Sequence, residues 1–290
     1  MEFIETLLNG LSIGSTYAVI ALGYTMVYGI AKMLNFAHGD VIMVGGYMIF
    51  LSMAAIGNPV IGLLAAVAFC VLLGMSIEKV AYKPLRGASP LAVLITAIGV
   101  SYLLQSTAQI VFGSAPKMVI VADFGNLTIG ELTIPYYMLI TLACSLVIML
   151  TLSLFVKYTK TGRAMIAVSE DKGAAQLMGI NVNAIITITF AIGSGLAAFA
   201  GFFMLMKSPS LSNTLGAMPG IKAFTAAVIG GIGSIPGAMV GGILMGVVEA
   251  FSLHLPAIAP YTDAIEFLIL IVILLVKPTG ILGKVRREKV

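Results

Sequence analysis

The sequence predicts an all-α protein, a bundle of roughly eight or nine membrane-spanning helices that includes one broken, glycine-rich pair. Three observations carry this. Sixty per cent of the 290 residues are hydrophobic and 10% are charged, with a mean hydropathy of +1.09, whereas a soluble domain carries roughly a quarter charged residues. The charges cluster, leaving none between Glu5 and Lys32, Arg86 and Lys117, Glu131 and Lys157, Lys172 and Lys207, Lys222 and Glu249, or Glu266 and Lys277. The intervening apolar runs are continuous, unlike the short alternating segments of an outer-membrane β-barrel.

Spans are expected at 6–30, 41–57, 59–77, 91–112, 135–156 and 184–206, followed by a Gly-rich region at 223–252 and a last span at 264–276. No soluble domain large enough to fold alone remains, so residues 1–290 read as one transmembrane domain. Basic residues are retained on the cytoplasmic side of short loops. Lys79, Lys83 and Arg86 mark one inside loop, and Lys157, Lys160, Arg163 and Lys172 mark a second, at about 157–183. Lys277, Lys284, Arg286, Arg287 and Lys289 place the C-terminus inside. The loop 113–134, with one lysine against Asp123 and Glu131, belongs outside, and Leu127–Ile134 reads as a small hairpin about Gly130-Glu131. Counting crossings puts the acidic N-terminus outside, and its lack of a basic stretch argues against a cleaved signal peptide. The same count closes only if 223–252 is two helices broken near Ser234-Ile-Pro236, where proline removes a backbone donor.

The net charge of +4 sits in these membrane-edge loops and is no signal for nucleic acid. Cys70 and Cys144 lie inside apolar runs and read as unpaired small side chains. The chain has no P-loop, no H-E-x-x-H, no G-x-S-x-G and only two histidines, His38 and His254, so an enzyme, a metal site and a bound cofactor are not expected.

Four features are candidates for function. Glycines and alanines recur at helical spacing, as Gly193, Ala197 and Gly201, as Gly233, Gly237 and Gly241, and as Gly242 and Gly246. They serve either close helix packing or, with Gly230 and Gly231 at the break, a transport pathway. Asn35, His38 and Asp40 interrupt two apolar runs and sit either in an interfacial turn or inside the bundle, where a gating role follows. Glu249 and Glu266, near outer helix ends, are expected to snorkel to water. Residues 164–178 form a short amphipathic helix at the cytoplasmic mouth, either resting on the membrane or docking into a cytosolic partner.

Gly173-Ala-Ala-x-x-x-Gly179 resembles the EAA loop of ABC importer permeases, with Gly173 where many members have glutamate. Asn35-Phe-Ala-His-Gly-Asp40, Gly162-Arg-Ala-Met165 and the stretch Phe224 to Ala238 resemble the LivH-type permease subunits of branched-chain amino acid ABC importers, in order over essentially the whole chain. The resemblance implies a second, LivM-like permease, two cytosolic ATPases that bind the ATP, and an extracytoplasmic binding protein, in a bacterial inner membrane. It further implies that Arg163, Glu170, Asp171, Gly173, Ala174, Ala175 and Gly179 belong to the loop that couples to the ATPases. Asn35, His38, Asp40, Gly230, Gly231, Gly233 and Gly237 are the pathway or gating candidates. The competing readings are a stand-alone ion-coupled secondary transporter or channel, and an ABC permease for urea or short amides.

Overall fold

The computed structural model describes residues 2–122, 124–130 and 132–283. Asp123, Glu131 and the basic residues from Lys284 onward, used above to orient the chain, lie outside the described residues. Among the described residues eleven α-helices follow in order: α1 (Glu2–Ala31), α2 (His38–Ile56), α3 (Pro59–Ile77), α4 (Pro90–Phe112), α5 (Tyr136–Tyr158), α6 (Lys160–Glu170), α7 (Lys172–Leu177), α8 (Val182–Lys207), α9 (Ala217–Gly230), α10 (Ile235–His254) and α11 (Thr262–Val276). Eight of the helical segments are long and apolar enough to cross a membrane, and α9 is a shorter apolar helix. The expected boundaries hold to a few residues, except that the first half of the Gly-rich pair starts at Ala217 instead of 223.

Local chemistry sets the joints. Gly57, at φ +70°, ends α2 in a left-handed conformation that a side chain would resist. Asn58 then caps α3, its side chain accepting from the Val60 and Ile61 amides, with Pro59 as the first helical residue. Ser234 caps α10 through the Gly237 amide, and Pro236 sits in the first turn, where its missing donor costs nothing. The break predicted at Ser234-Ile-Pro236 is therefore a fresh helix start. The hairpin also forms, as β2 (Asn126–Ile129) against β3 (Leu132–Pro135). A second two-stranded pairing, β1 (Lys117–Met118) with β4 (Ser210–Leu211), has no counterpart in the sequence reading.

Helix α1 runs through the centre, and 94% of its most apolar window is buried. It packs mainly on α10, α8, α5 and α9. The α1–α10 crossing is made by glycines: a Cβ on Gly14 would lie 2.8 Å from the Ile243 Cα, and one on Gly10 2.9 Å from the Val247 Cα. Gly201 likewise sits against the Ile42 carbonyl on α2. Gly201, Gly237, Gly241, Gly242 and Gly246 of the small-residue faces sit in close packing contacts, whereas Gly233, at φ +93°, precedes α10 and shares no helix face with Gly237 and Gly241.

The two ends of the bundle separate cleanly. Glu5, Thr133–Pro135, Lys207 and His254 gather at one end. At the other, Lys172 reaches the Ala31 carbonyl and the Ile281 amide reaches the Ile229 carbonyl. Between these ends the chain twice stops short of a full crossing. The segment 32–37 turns back from the end of α1, so that α2 begins with His38 against Gly23, about 12 Å short of the α1 C-terminus. Residues 208–216 descend from the opposite end, and Gly216 meets Gly39 so closely that neither position has room for a Cβ. Helices α2 and α9 thus both start in the interior of the bundle.

Candidate functional site

The segment expected to dock as one helix over 164–178 is two helices. Asp171, at φ −151° and ψ 113°, ends α6 and starts α7, its side chain accepting from the Gly173 and Ala174 amides at 2.8 and 2.9 Å. An aspartate that caps a helix stops the preceding one, which is why the continuous helix does not form. Gly179, at φ +80°, closes α7, with the Ile180 amide on the Ala175 carbonyl at 3.0 Å. Of the residues assigned to this loop, Arg163, Glu170, Asp171, Gly173, Ala174 and Gly179 are exposed, and Ala175 is buried. Met165 and Val168 face inward. Leu177 and Met178, at the tip of α7, are 91% and 82% exposed, a protruding apolar pair not singled out in the sequence.

Hydrogen bonds tie this segment to the interior. The Lys172 ammonium donates to the Ala31 carbonyl at 2.8 Å, at the point where α1 ends and Lys32 adopts φ +59°. Partial burial, with Arg86 nearby, holds this ammonium below the usual lysine range. Three residues beyond Lys32, Asn35 accepts from the buried Tyr82 hydroxyl at 2.9 Å. Tyr82 lies in a π-helical turn, Glu78–Tyr82, that continues α3. Glu78 in the same turn pairs with Arg86 and accepts from Thr187 at 2.7 Å, and Arg86 also donates to Asn183, so α3 and α8 are fastened at this end.

Asn35, His38 and Asp40 are 5%, 1% and 2% exposed. They are held inside the bundle, and the interfacial alternative fails because 32–37 folds back between helices. The His38 ring stands edge-on to Tyr24 at 4.7 Å. Asp40, in the first turn of α2 where a carboxylate suits the helix dipole, accepts from Gln105 of α4 at 2.8 Å. The Phe36 and Phe224 rings meet at 5.3 Å, tilted by 56°, and Met218 and Ile221, in the α9 turns before Phe224, are about two-fifths exposed. The glycines of the break do not join this cluster. Gly230 packs on Gly237, Gly231 and Gly233 have φ of +108° and +93°, and the Leu282 amide satisfies the Gly230 carbonyl at 2.9 Å. The freed backbone of the break is answered by the chain itself at the α1 C-terminal end. The structure therefore separates the pathway candidates into an interior set, Asn35, His38 and Asp40, and a terminal set, Gly230, Gly231, Gly233 and Gly237.

The family model for the branched-chain amino acid transport system / permease component matches residues 6–274. The chain is 44% identical to the high-affinity branched-chain amino acid transport system permease protein BraD of Pseudomonas aeruginosa, over 100% of this chain and 98% of that one. It is 42% identical to LivH of Salmonella typhimurium and 41% identical to LivH of Escherichia coli, with the same coverage. The chain belongs to this permease family.

In this permease the densest buried charge lies elsewhere. Lys222 of α9 reaches Asp263 at 2.8 Å, Glu266 at 3.3 Å and Glu249 at 3.4 Å, while Tyr17 donates to Glu249 at 2.6 Å. Glu266 is fully buried, and neither of its carboxylate oxygens has a hydrogen-bond partner, Oε2 meeting Lys222 as an ion pair. The expected snorkelling of Glu249 and Glu266 is thus overturned: the lysine reaches from the interior and holds both. The sequence hid this, because Lys222 stands one residue before the apolar run and reads as a loop charge.

Proposed function

We propose that this chain is a membrane-spanning subunit of an ABC importer for branched-chain amino acids in a bacterial cytoplasmic membrane. It works with a second, LivM-like permease, two cytosolic ATPases that bind and hydrolyse ATP, and an extracytoplasmic binding protein. The end that carries α6 and α7 faces the cytosol, which puts the N-terminus outside and the C-terminus inside. The chain itself makes or breaks no bond.

One observation carries the reading: α7 presents Leu177 and Met178 outward, while its Lys172 holds the end of α1. An exposed apolar pair of this kind fits a groove on a cytosolic partner. A push on α7 would reach Ala31, then Asn35 and Tyr82, and then the interior start of α2. Interior helix starts that carry polar side chains are where transporters open and close a path. The urea and short-amide alternative loses ground to the relatives, whose names are those of branched-chain amino acid permeases.

Two variants test it in the assembled importer, reconstituted with its ATPases and binding protein. Leu177→Ser with Met178→Ser should release the ATPases from the permease or lower substrate-stimulated ATP hydrolysis at least tenfold, with the permease still folded. Full ATPase coupling in that variant would remove α7 as the docking element. Lys172→Met should keep the ATPases bound but lower uptake per ATP hydrolysed, because the link to α1 is cut. An unchanged ratio would mean that the signal travels another way.

A further inference from the structure

At the end of the bundle away from α6 and α7, a cleft of about 480 Å³ opens between α1, β3, the start of α5 and the ends of α8 and α10. Two side chains of opposite charge line it, Glu5 from the first turns of α1 and Lys207 from the last turn of α8. Among the described residues neither makes an ion pair or a side-chain hydrogen bond, although the cleft's His254 pairs with Glu2 at 3.8 Å on its rim. The remaining wall is mixed: Leu8, Ile134, Met138 and Leu253 are apolar, and Thr6, Asn9, Thr133 and His254 are polar. An unpaired acid and an unpaired base in one cleft whose wall is part apolar match a small zwitterion with a hydrocarbon side chain.

We infer that this cleft is an outer binding site for a free amino acid with an aliphatic side chain. The Lys207 ammonium takes the carboxylate, Glu5 takes the α-ammonium, and the four apolar side chains receive the hydrocarbon. Charge-assisted hydrogen bonds fix the polar end, and the size of the wall sets the preference for a branched side chain. The inference rests on the permease reading and deepens it. It places the first contact of the substrate with this subunit at the outer rim of α1, far from the interior start of α2.

The test uses the full-length chain in lipid discs made of phosphatidylglycerol, so that no zwitterionic headgroup competes. Saturation transfer from protein to the methyl protons of leucine is read by NMR, with leucinamide and 4-methylpentanoate as competitors. Leucinamide lacks the carboxylate and 4-methylpentanoate lacks the ammonium, so each should displace leucine at least tenfold less well than valine or isoleucine does. Glu5→Gln and Lys207→Gln should each weaken leucine binding at least tenfold. The competitor series acts on the unaltered chain, so it decides the matter even if a variant misfolds. Equal competition by both analogues, or leucine binding indifferent to both substitutions, overturns the proposal. Signal lost in discs of phosphatidylethanolamine at millimolar leucine would assign the cleft to lipid headgroups and overturn it as well. If the assembled importer takes up leucine while the cleft fails these tests, the cleft alone falls. If the assembly carries no branched-chain amino acid, the permease reading falls and takes the cleft with it.

Discussion

Replacing Lys222 with methionine is expected to cost the bundle about 3–5 kcal/mol, enough to abolish a monodisperse folded protein in mild detergent. The ammonium is the one cation within 4 Å of Glu249, Asp263 and Glu266 among the described residues. Methionine fills the same volume but leaves three carboxylates facing one another, and Glu266 cannot reach water. The cost is the stranded charge and not lost packing, so a second change should recover it. Lys222→Met combined with Glu266→Gln should regain much of the loss, because Glu249 keeps the Tyr17 hydroxyl and Asp263 is half exposed. Size-exclusion profiles and thermal midpoints of the two variants check this. A single variant that melts like the parent would show that the carboxylates find other partners.

The second large effect is expected at Gly246, where valine should destabilise by about 3 kcal/mol or more. A Cβ there falls on the backbone of Gly14, and the Gly10 carbonyl stands 2.7 Å away. Backbone cannot move aside as the tip of a flexible side chain can, so α1 and α10 would have to separate along their whole crossing. Gly99, in the interior of α4, offers the contrast: nothing lies within 4 Å of its added Cβ. Gly99→Ala should be neutral or stabilising by up to about 1 kcal/mol, since alanine restricts the unfolded chain. Thermal midpoints in one detergent should therefore move in opposite directions or leave Gly99→Ala unmoved. Equal losses at both positions would contradict the crossing geometry.

The spans, the break before Pro236, the hairpin and the buried, unpaired Cys70 could all be read from the sequence, because each depends on a local pattern. Uncharged runs mark lipid-length helices, proline and glycine mark joints, and the short repeat about Gly130-Glu131 marks the hairpin. Depth could not be read in this way. His38 and Asp40 sit inside because 32–37 folds back, and Lys222 is interior because 208–216 descends to Gly39; both are tertiary paths that a hydropathy window scores as loop. Asp171, placed in the coupling loop by the resemblance, also stands two residues before a glycine, a helix-cap pattern, and in the structure its side chain caps α7. The exposure of Leu177 and Met178 depends on which way α7 is turned, and six residues carry too little periodicity to set that.

The central position of α1 has a consequence for how the chain is made. The helix with the most buried environment is synthesised first, and its main partner α10 begins at Ile235. The hydrogen bond between Tyr17 and Glu249 spans 232 residues. At cellular synthesis rates the wait for that partner lasts roughly ten to fifty seconds. Through that interval the Tyr17 hydroxyl lacks its α10 partner and must be sheltered from acyl chains by the helix's own carbonyls or by the insertion machinery. Thr16 already bonds the Ser12 carbonyl within α1. Early truncations of this chain, ending before α10, are for that reason the forms most exposed to membrane quality control.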